Sequence, residues 1–281
     1  MTGFQQHFLH RDGQRLGYHR YPAAGRHAVV LLPAMGVPAG YYRRMATALH
    51  DLGYDVTVAD LRGTGTSTPK ATRTVDYGYA ELVDDAEELL HVLRPDLGDR
   101  TVLLMGHSLG GHIASLLLAR RRHTGDDPGG IHGLALVACG IPYHALYGRR
   151  APVLYTLAHG MRIASRVRGH WPGHGFAGRQ TRGVIRDWAH TVRFGRFVPI
   201  GGEDLDPALG LIGLPLLAVT VDGDRFTPPA TSRHLTAKLT GTRLTEHHYT
   251  HAEAGARLDH FSWARASEPL LKHVTDFAGT L

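Results

Sequence analysis

The string Gly106-His107-Ser108-Leu109-Gly110-Gly111 puts a serine between glycines, directly after the apolar run TVLLM and at the head of the helical pattern LGGHIASLLLAR. A serine held on a sharp strand-to-helix turn can act as a nucleophile towards an acyl carbon. The turn strains its own backbone and brings neighbours close, so Gly106 and Gly110 supply the room that larger residues would deny. The helix that follows aims its first backbone N–H groups at the same point, which makes the N–H of Leu109 a candidate donor to a developing oxyanion.

A serine hydroxyl needs a base to take its proton, and the base needs an acid to orient it; after a turn of this kind both follow in the chain, acid first. The run LPLLAVTV ends in Asp222-Gly223-Asp224-Arg225-Phe226-Thr227-Pro228-Pro229, a loop at the carboxyl end of a strand. Asp224 is the candidate acid and Asp222 the alternative, with a turn-forming role as its bland reading. Five histidines follow: His247, His248, His251, His260 and His273. His247 and His248 fall within the last strand pattern and His273 within the last helix. His260, flanked by Phe261 and Trp263 just before that helix, is the candidate base, with His251 next. The second oxyanion donor is expected from the loop Pro33-Ala34-Met35-Gly36, where the N–H of Met35 is the candidate.

The elements that must position these residues alternate along the chain. Residues 4–21 read as an antiparallel hairpin about Asp12-Gly13. Strand patterns at 27–32, 54–59, 101–105, 133–138, 214–221 and 242–249 interleave with helical ones at 39–52, 79–93, 109–122, 230–239 and 267–277. Such alternation predicts an α/β fold with a mostly parallel sheet and helices on both faces. The rhythm breaks after Cys139, and residues 141–206 read as an inserted helical cap on a core made of 1–140 and 207–281. Tyr155, Trp171, Phe176 and Trp188 in this insert are candidates to line an apolar pocket, or else to form the insert's own core. Asp84 and Asp85 read as solvent-facing, and Arg62-Gly63 as ordering the loop after its strand.

Composition bounds the chemistry. Hydrophobic residues at 43% and charged residues at 20% of 281 fit a folded globular chain. The single cysteine, Cys139, excludes an internal disulfide and a cysteine-based zinc site, and its place after a strand reads as an inert core thiol. No apolar run reaches the ~18 residues of a membrane span, and Met1 to His10 lacks a basic stretch followed by an apolar one, so a cytoplasmic location is expected. The net charge is +6, and the insert carries ten arginines and no lysine. That excess favours anionic partners, such as the phosphates of coenzyme A or an acidic carrier protein, although a solvated face is the blander reading. No nucleic-acid-binding motif accompanies it.

Taken together, residues 31–36, Asp60-Leu61-Arg62-Gly63-Thr64-Gly65-Thr66-Ser67, the 106–111 turn, residues 224–228 and His260 resemble the α/β-hydrolase superfamily over nearly the whole chain. More narrowly, PAMGVPAGYYRR (33–44), WPGHGF (171–176), RDWAH (186–190) and HFSWAR (260–265) resemble a group of bacterial hydrolases whose name implies no substrate. Many superfamily members carry His-Gly where this chain has Pro33-Ala34. The resemblance implies a Ser108–His260–Asp224 triad with an acyl-enzyme intermediate, and no metal or organic cofactor. Expected functions are an ester or thioester hydrolase, an acyltransferase on the same triad, or, from another class, a ligand-binding protein that keeps the fold without catalysis.

Overall fold

The computed structural model describes residues 3–11, 13–173 and 175–281, so Asp12 of the expected hairpin turn and His174 of the 171–176 stretch lie outside the described residues. The first strands, β1 (Gln5–Arg11) and β2 (Gln14–Tyr21), pair antiparallel as expected. Then β3 (His27–Leu32), α1 (Arg43–Asp51), β4 (Asp55–Ala59), α2 (Tyr79–Leu97), β5 (Thr101–His107), α3 (Leu109–His123) and β6 (Gly133–Val137) alternate. After a long excursion come β9 (Pro215–Val221), α7 (Pro229–Thr236), β10 (Arg243–Tyr249), α8 (His251–Ala254) and α9 (Glu268–Ala278). The main sheet has eight strands in the order β1-β2-β4-β3-β5-β6-β9-β10, parallel from β4 onward and antiparallel where β2 meets β4.

The central strands are apolar throughout because both faces of the sheet are covered. Successive side chains point to opposite faces. Thus Val30 and Leu32 pack with Leu82 and Leu89 of α2 and Ile113 and Leu117 of α3. Val29 and Leu31 instead join Met45 and Leu49 of α1 and Leu270 and Val274 of α9. The carboxyl ends of β3, β5, β9 and β10 share one edge of the sheet, the usual place for a site in an α/β fold.

The excursion at 141–206 is mainly helical, as expected, built on α4 (Ala151–Arg168) and α5 (Arg182–Phe194), and it adds a short antiparallel ribbon of β7 (His170–Trp171) and β8 (Gln180–Thr181). A further short helix, α6 (Asp206–Leu209), leads back to β9. The buried Asp187 carboxylate accepts the Tyr79 N–H at the start of α2 (2.9 Å), and the Thr181 hydroxyl donates to the Tyr77 carbonyl (2.6 Å), which pins the excursion to the α2 entrance.

Two expectations need correction. Asp85 is buried, not solvent-facing: Arg62 donates to both of its carboxylate oxygens, so Arg62 ties the loop after β4 to α2. Asp84, one residue earlier on the helix, does face outward, where it pairs with Arg120. Residues 39–42 form a 3-10 turn ahead of α1 rather than its first turn.

Candidate active site

Ser108 lies between β5 and α3 with φ +52° and ψ −116°, a conformation that side chains disfavour and that a surrounding structure must impose. Its surroundings explain the glycines. A Cβ on Gly106 would run into the backbone of Gly110 and Gly111, and one on Gly110 into the carbonyls of Leu32 and Pro33. Cys139 packs where a Cβ on Gly111 would go; burial pushes its thiol pKa far up, so it stays a neutral apolar contact.

His260 Nε2 is 2.9 Å from Ser108 Oγ, and His260 Nδ1 is 2.8 Å from Asp224 Oδ2. The Asp224 side chain is fully buried. Burial alone would raise its pKa, but hydrogen bonds from His260 and Thr227 outweigh that and hold it below the ordinary carboxylate value. Its Oδ1 accepts the N–H groups of Phe226 (2.8 Å) and Thr227 (2.9 Å), and Oδ2 also accepts the Thr227 hydroxyl. The Asp224 carboxylate is therefore held ionised in one orientation. Phe226 and Phe261 pack edge-on against the His260 ring, with centroids 5.3 and 4.8 Å away.

The competing candidates are occupied elsewhere. Asp222 accepts from the His251 N–H and pairs with His248 (2.9 Å). His251 Nδ1 accepts the Leu258 N–H, while His247 and His273 both contact Glu253. None of them is hydrogen-bonded to Ser108.

A cavity of about 50 Å³ opens beside Ser108 and His260, with Met35, Leu109, Phe176 and Trp188 among its walls. The backbone N–H groups of Met35 and Leu109 find no protein acceptor among the described residues, whereas the neighbouring Ala34 N–H is taken by the Tyr42 hydroxyl (3.0 Å). Two residues that line the cavity with Ser108 thus carry uncommitted backbone donors. Of the four aromatics expected at the pocket, Phe176 and Trp188 line it and Tyr155 and Trp171 do not. Tyr155 stacks on His159 one turn along α4 (4.1 Å), and Trp171 spends its Nε1–H on the Phe176 carbonyl (2.9 Å).

Residues 23–253 match the family described as "Serine aminopeptidase, S33" (Hydrolase_4). The chain belongs to this family of α/β-hydrolases. Among curated proteins it is similar to "Putative carbamate hydrolase RutD" of Variovorax paradoxus (strain S110), with 28% identity and coverage of 82% of this chain and 86% of that one. Solved structures with the same fold include a soluble variant of monoglyceride lipase from Saccharomyces cerevisiae, at TM-score 0.68, 17% identity, and coverage of 100% of this chain and 97% of that one. The enol-lactonase of Burkholderia xenovorans LB400 gives TM-score 0.62 and 20% identity, over 96% and 98% of the two chains.

For this α/β-hydrolase, three site residues escape a reading of the sequence. His107 is completely buried beneath the turn, with Nε2 2.8 Å from the His260 carbonyl and Nδ1 2.7 Å from the Tyr42 hydroxyl. The carbonyl requires the ring proton on Nε2, so Nδ1 accepts from Tyr42. Burial, and then the nearby His260, push the His107 pKa well below its ordinary value, so the ring is neutral. One chain of hydrogen bonds therefore links the Ala34-Met35 loop, the serine turn and the His260 loop. His112, on α3, lines the cavity; burial lowers its pKa to about 4 and its Nε2 donates to the Gly140 carbonyl (3.0 Å). The only signal for these residues was their placement near the Ser108 and Pro33–Met35 motifs.

Proposed function

We propose that the chain is a serine hydrolase that cleaves carboxylic esters or thioesters of short acyl groups. The observation that carries this reading is the unbroken hydrogen-bonded line Asp224–His260–Ser108, ending on a cavity lined by Met35 and Leu109, whose N–H groups make no hydrogen bond among the described residues. In this reading His260 Nε2 takes the proton of Ser108 as Oγ attacks the acyl carbon. Asp224 keeps the ring oriented and stabilises the imidazolium. The N–H groups of Met35 and Leu109 receive the oxyanion. His260 then returns its proton to the departing alkoxide or thiolate, and a water activated by the same ring hydrolyses the acyl-enzyme.

Residues 141–206 act in this proposal as a cap over a core of 1–140 and 207–281, with Phe176 and Trp188 closing the acyl side of the site. By the same volume measure a single water needs about 10–15 Å³. A cavity of about 50 Å³ therefore suits an acyl group of a few carbons. The family description names an aminopeptidase, but recognition of a free α-amino group calls for a carboxylate partner, and neither Asp nor Glu lines this cavity among the described residues. That supports a neutral acyl substrate, as do the lipase and lactonase names of the two structural neighbours.

A panel of p-nitrophenyl esters from acetate to decanoate, run beside acyl-coenzyme A thioesters and an aminoacyl p-nitroanilide, tests the reading. The expected result is turnover of the short esters, lost in Ser108→Ala. Preferred cleavage of the aminoacyl anilide, or no ester turnover by folded protein, would overturn it.

A further inference from the structure

Helix α4 carries two apolar stripes, and only one is used by the fold. Ala158, Met161 and Ser165 are buried on its inner side. On its outer side Val153, Leu157, Ile163 and Val167 are 69%, 43%, 65% and 69% exposed. At 100° per residue these four positions fall within an arc of about 120°, and they run along about 21 Å of helix. Four large aliphatic side chains held together in water are costly to leave uncovered, so the ridge calls for a partner.

The charge around the ridge narrows the choice. Between Asp127 and Asp187 the chain has no acidic residue. Arg149, Arg150, Arg162, Arg166 and Arg168 are all exposed at the ends and flank of α4. Among the described residues none of Arg149, Arg162, Arg166 and Arg168 makes an ion pair. A second copy of the chain fits poorly, because a two-fold contact would press the same arginines against each other. A folded acidic protein fits less well than a lipid, because the ridge lacks the aromatic and methionine anchors on which protein interfaces depend. An aliphatic stripe bordered by arginines is the pattern of a helix lying in the plane of an anionic bilayer surface.

We infer that α4 docks this protein on anionic lipid membranes, with Val153, Leu157, Ile163 and Val167 entering the acyl-chain boundary and the arginines meeting lipid phosphates. No described helix is long and apolar enough to cross a membrane, so the contact is peripheral. The docked helix has its amino end next to the catalytic loop: the Tyr147 hydroxyl donates to the Phe226 carbonyl, and Arg150 Nη1 lies 3.4 Å from the Arg225 carbonyl. Docking stands or falls independently of the hydrolase reading, because its readout is vesicle binding.

The test is flotation of the full chain with phosphatidylcholine vesicles containing about 30% phosphatidylglycerol, compared with pure phosphatidylcholine. Wild type is expected to float with the anionic vesicles, and about 10-fold less with neutral ones or in about 0.5 M salt. The variants Ile163→Asn/Val167→Asn and Arg162→Glu/Arg166→Glu are each expected to lose about 10-fold in bound fraction, with melting temperature and turnover of a soluble ester unchanged. Wild type that stays unbound, flotation retained by either variant, or a solution dimer abolished by Ile163→Asn/Val167→Asn would overturn the inference. So would capture by an acidic carrier protein without any vesicle binding.

Discussion

Replacing Tyr42 by Phe removes one oxygen from the junction that joins three loops. The ring is completely buried, and its packing against His107 and Trp263 would survive the change. The hydroxyl accepts the Ala34 N–H at 3.0 Å and donates to His107 Nδ1 at 2.7 Å, so its loss strands one buried donor and one buried acceptor. Each stranded group costs about 1–3 kcal/mol, and the space left is too small for a water, which gives about 2–6 kcal/mol in all. For a chain of this length that lowers the melting temperature by about 3–10 °C. Ala34 and Met35 are adjacent, and His107 also holds the His260 carbonyl, so kcat on a short ester should fall about 10-fold with a smaller change in KM. Differential scanning fluorimetry and initial rates on purified protein measure both. A variant within about 2 °C of wild type and with unchanged kcat would refute the claim that this junction positions the site.

Further outcomes follow from the same contacts. As pH falls, the unfolded chain protonates position 112 near 6.5, whereas buried His112 resists until about 4, so stability should decline across that window by about 3 kcal/mol. His107 contributes with the same sign, and His112→Gln should flatten the fall seen in melts between those pH values. Asp224 adds a later loss, because its depressed pKa stabilises the fold only while the carboxylate is ionised. Gly110→Ala drives a methyl into the Leu32 carbonyl, and should yield insoluble protein or a loss of about 2 kcal/mol or more in urea unfolding. Arg62→Met should cost about 3–5 kcal/mol by leaving Asp85 charged and buried, and Arg62→Met/Asp85→Leu should recover most of it in the same assay.

What the sequence made legible was what is encoded locally. The serine turn is legible because its conformation demands glycines within a few residues, and the sheet because strands covered on both faces read as unbroken apolar runs. Asp224 and His260 could be chosen from chain order and loop position, and they sit together, with Asp222 and His251 occupied by each other's loop. Contacts that depend on packing between distant segments were not legible. Tyr42 meets His107 across 65 positions, and nothing in either neighbourhood advertises the pair. Asp85 and Asp84 are adjacent in sequence but about 100° apart on the helix, so only the three-dimensional placement of Arg62 tells the buried one from the exposed one. The same limit applies to Tyr155 and Trp171, whose aromatic character said nothing about which side of the 141–206 segment would face the cavity.

The most direct test of the central claim is intact-protein mass spectrometry after exposure to a fluorophosphonate, with Ser108→Ala and His260→Ala alongside wild type. Wild type is expected to gain a single adduct, mapped to the peptide containing Ser108, with none on Ser108→Ala and a strongly slowed reaction on His260→Ala. An unmodified wild type that is folded, or an adduct that persists in Ser108→Ala, would contradict that claim.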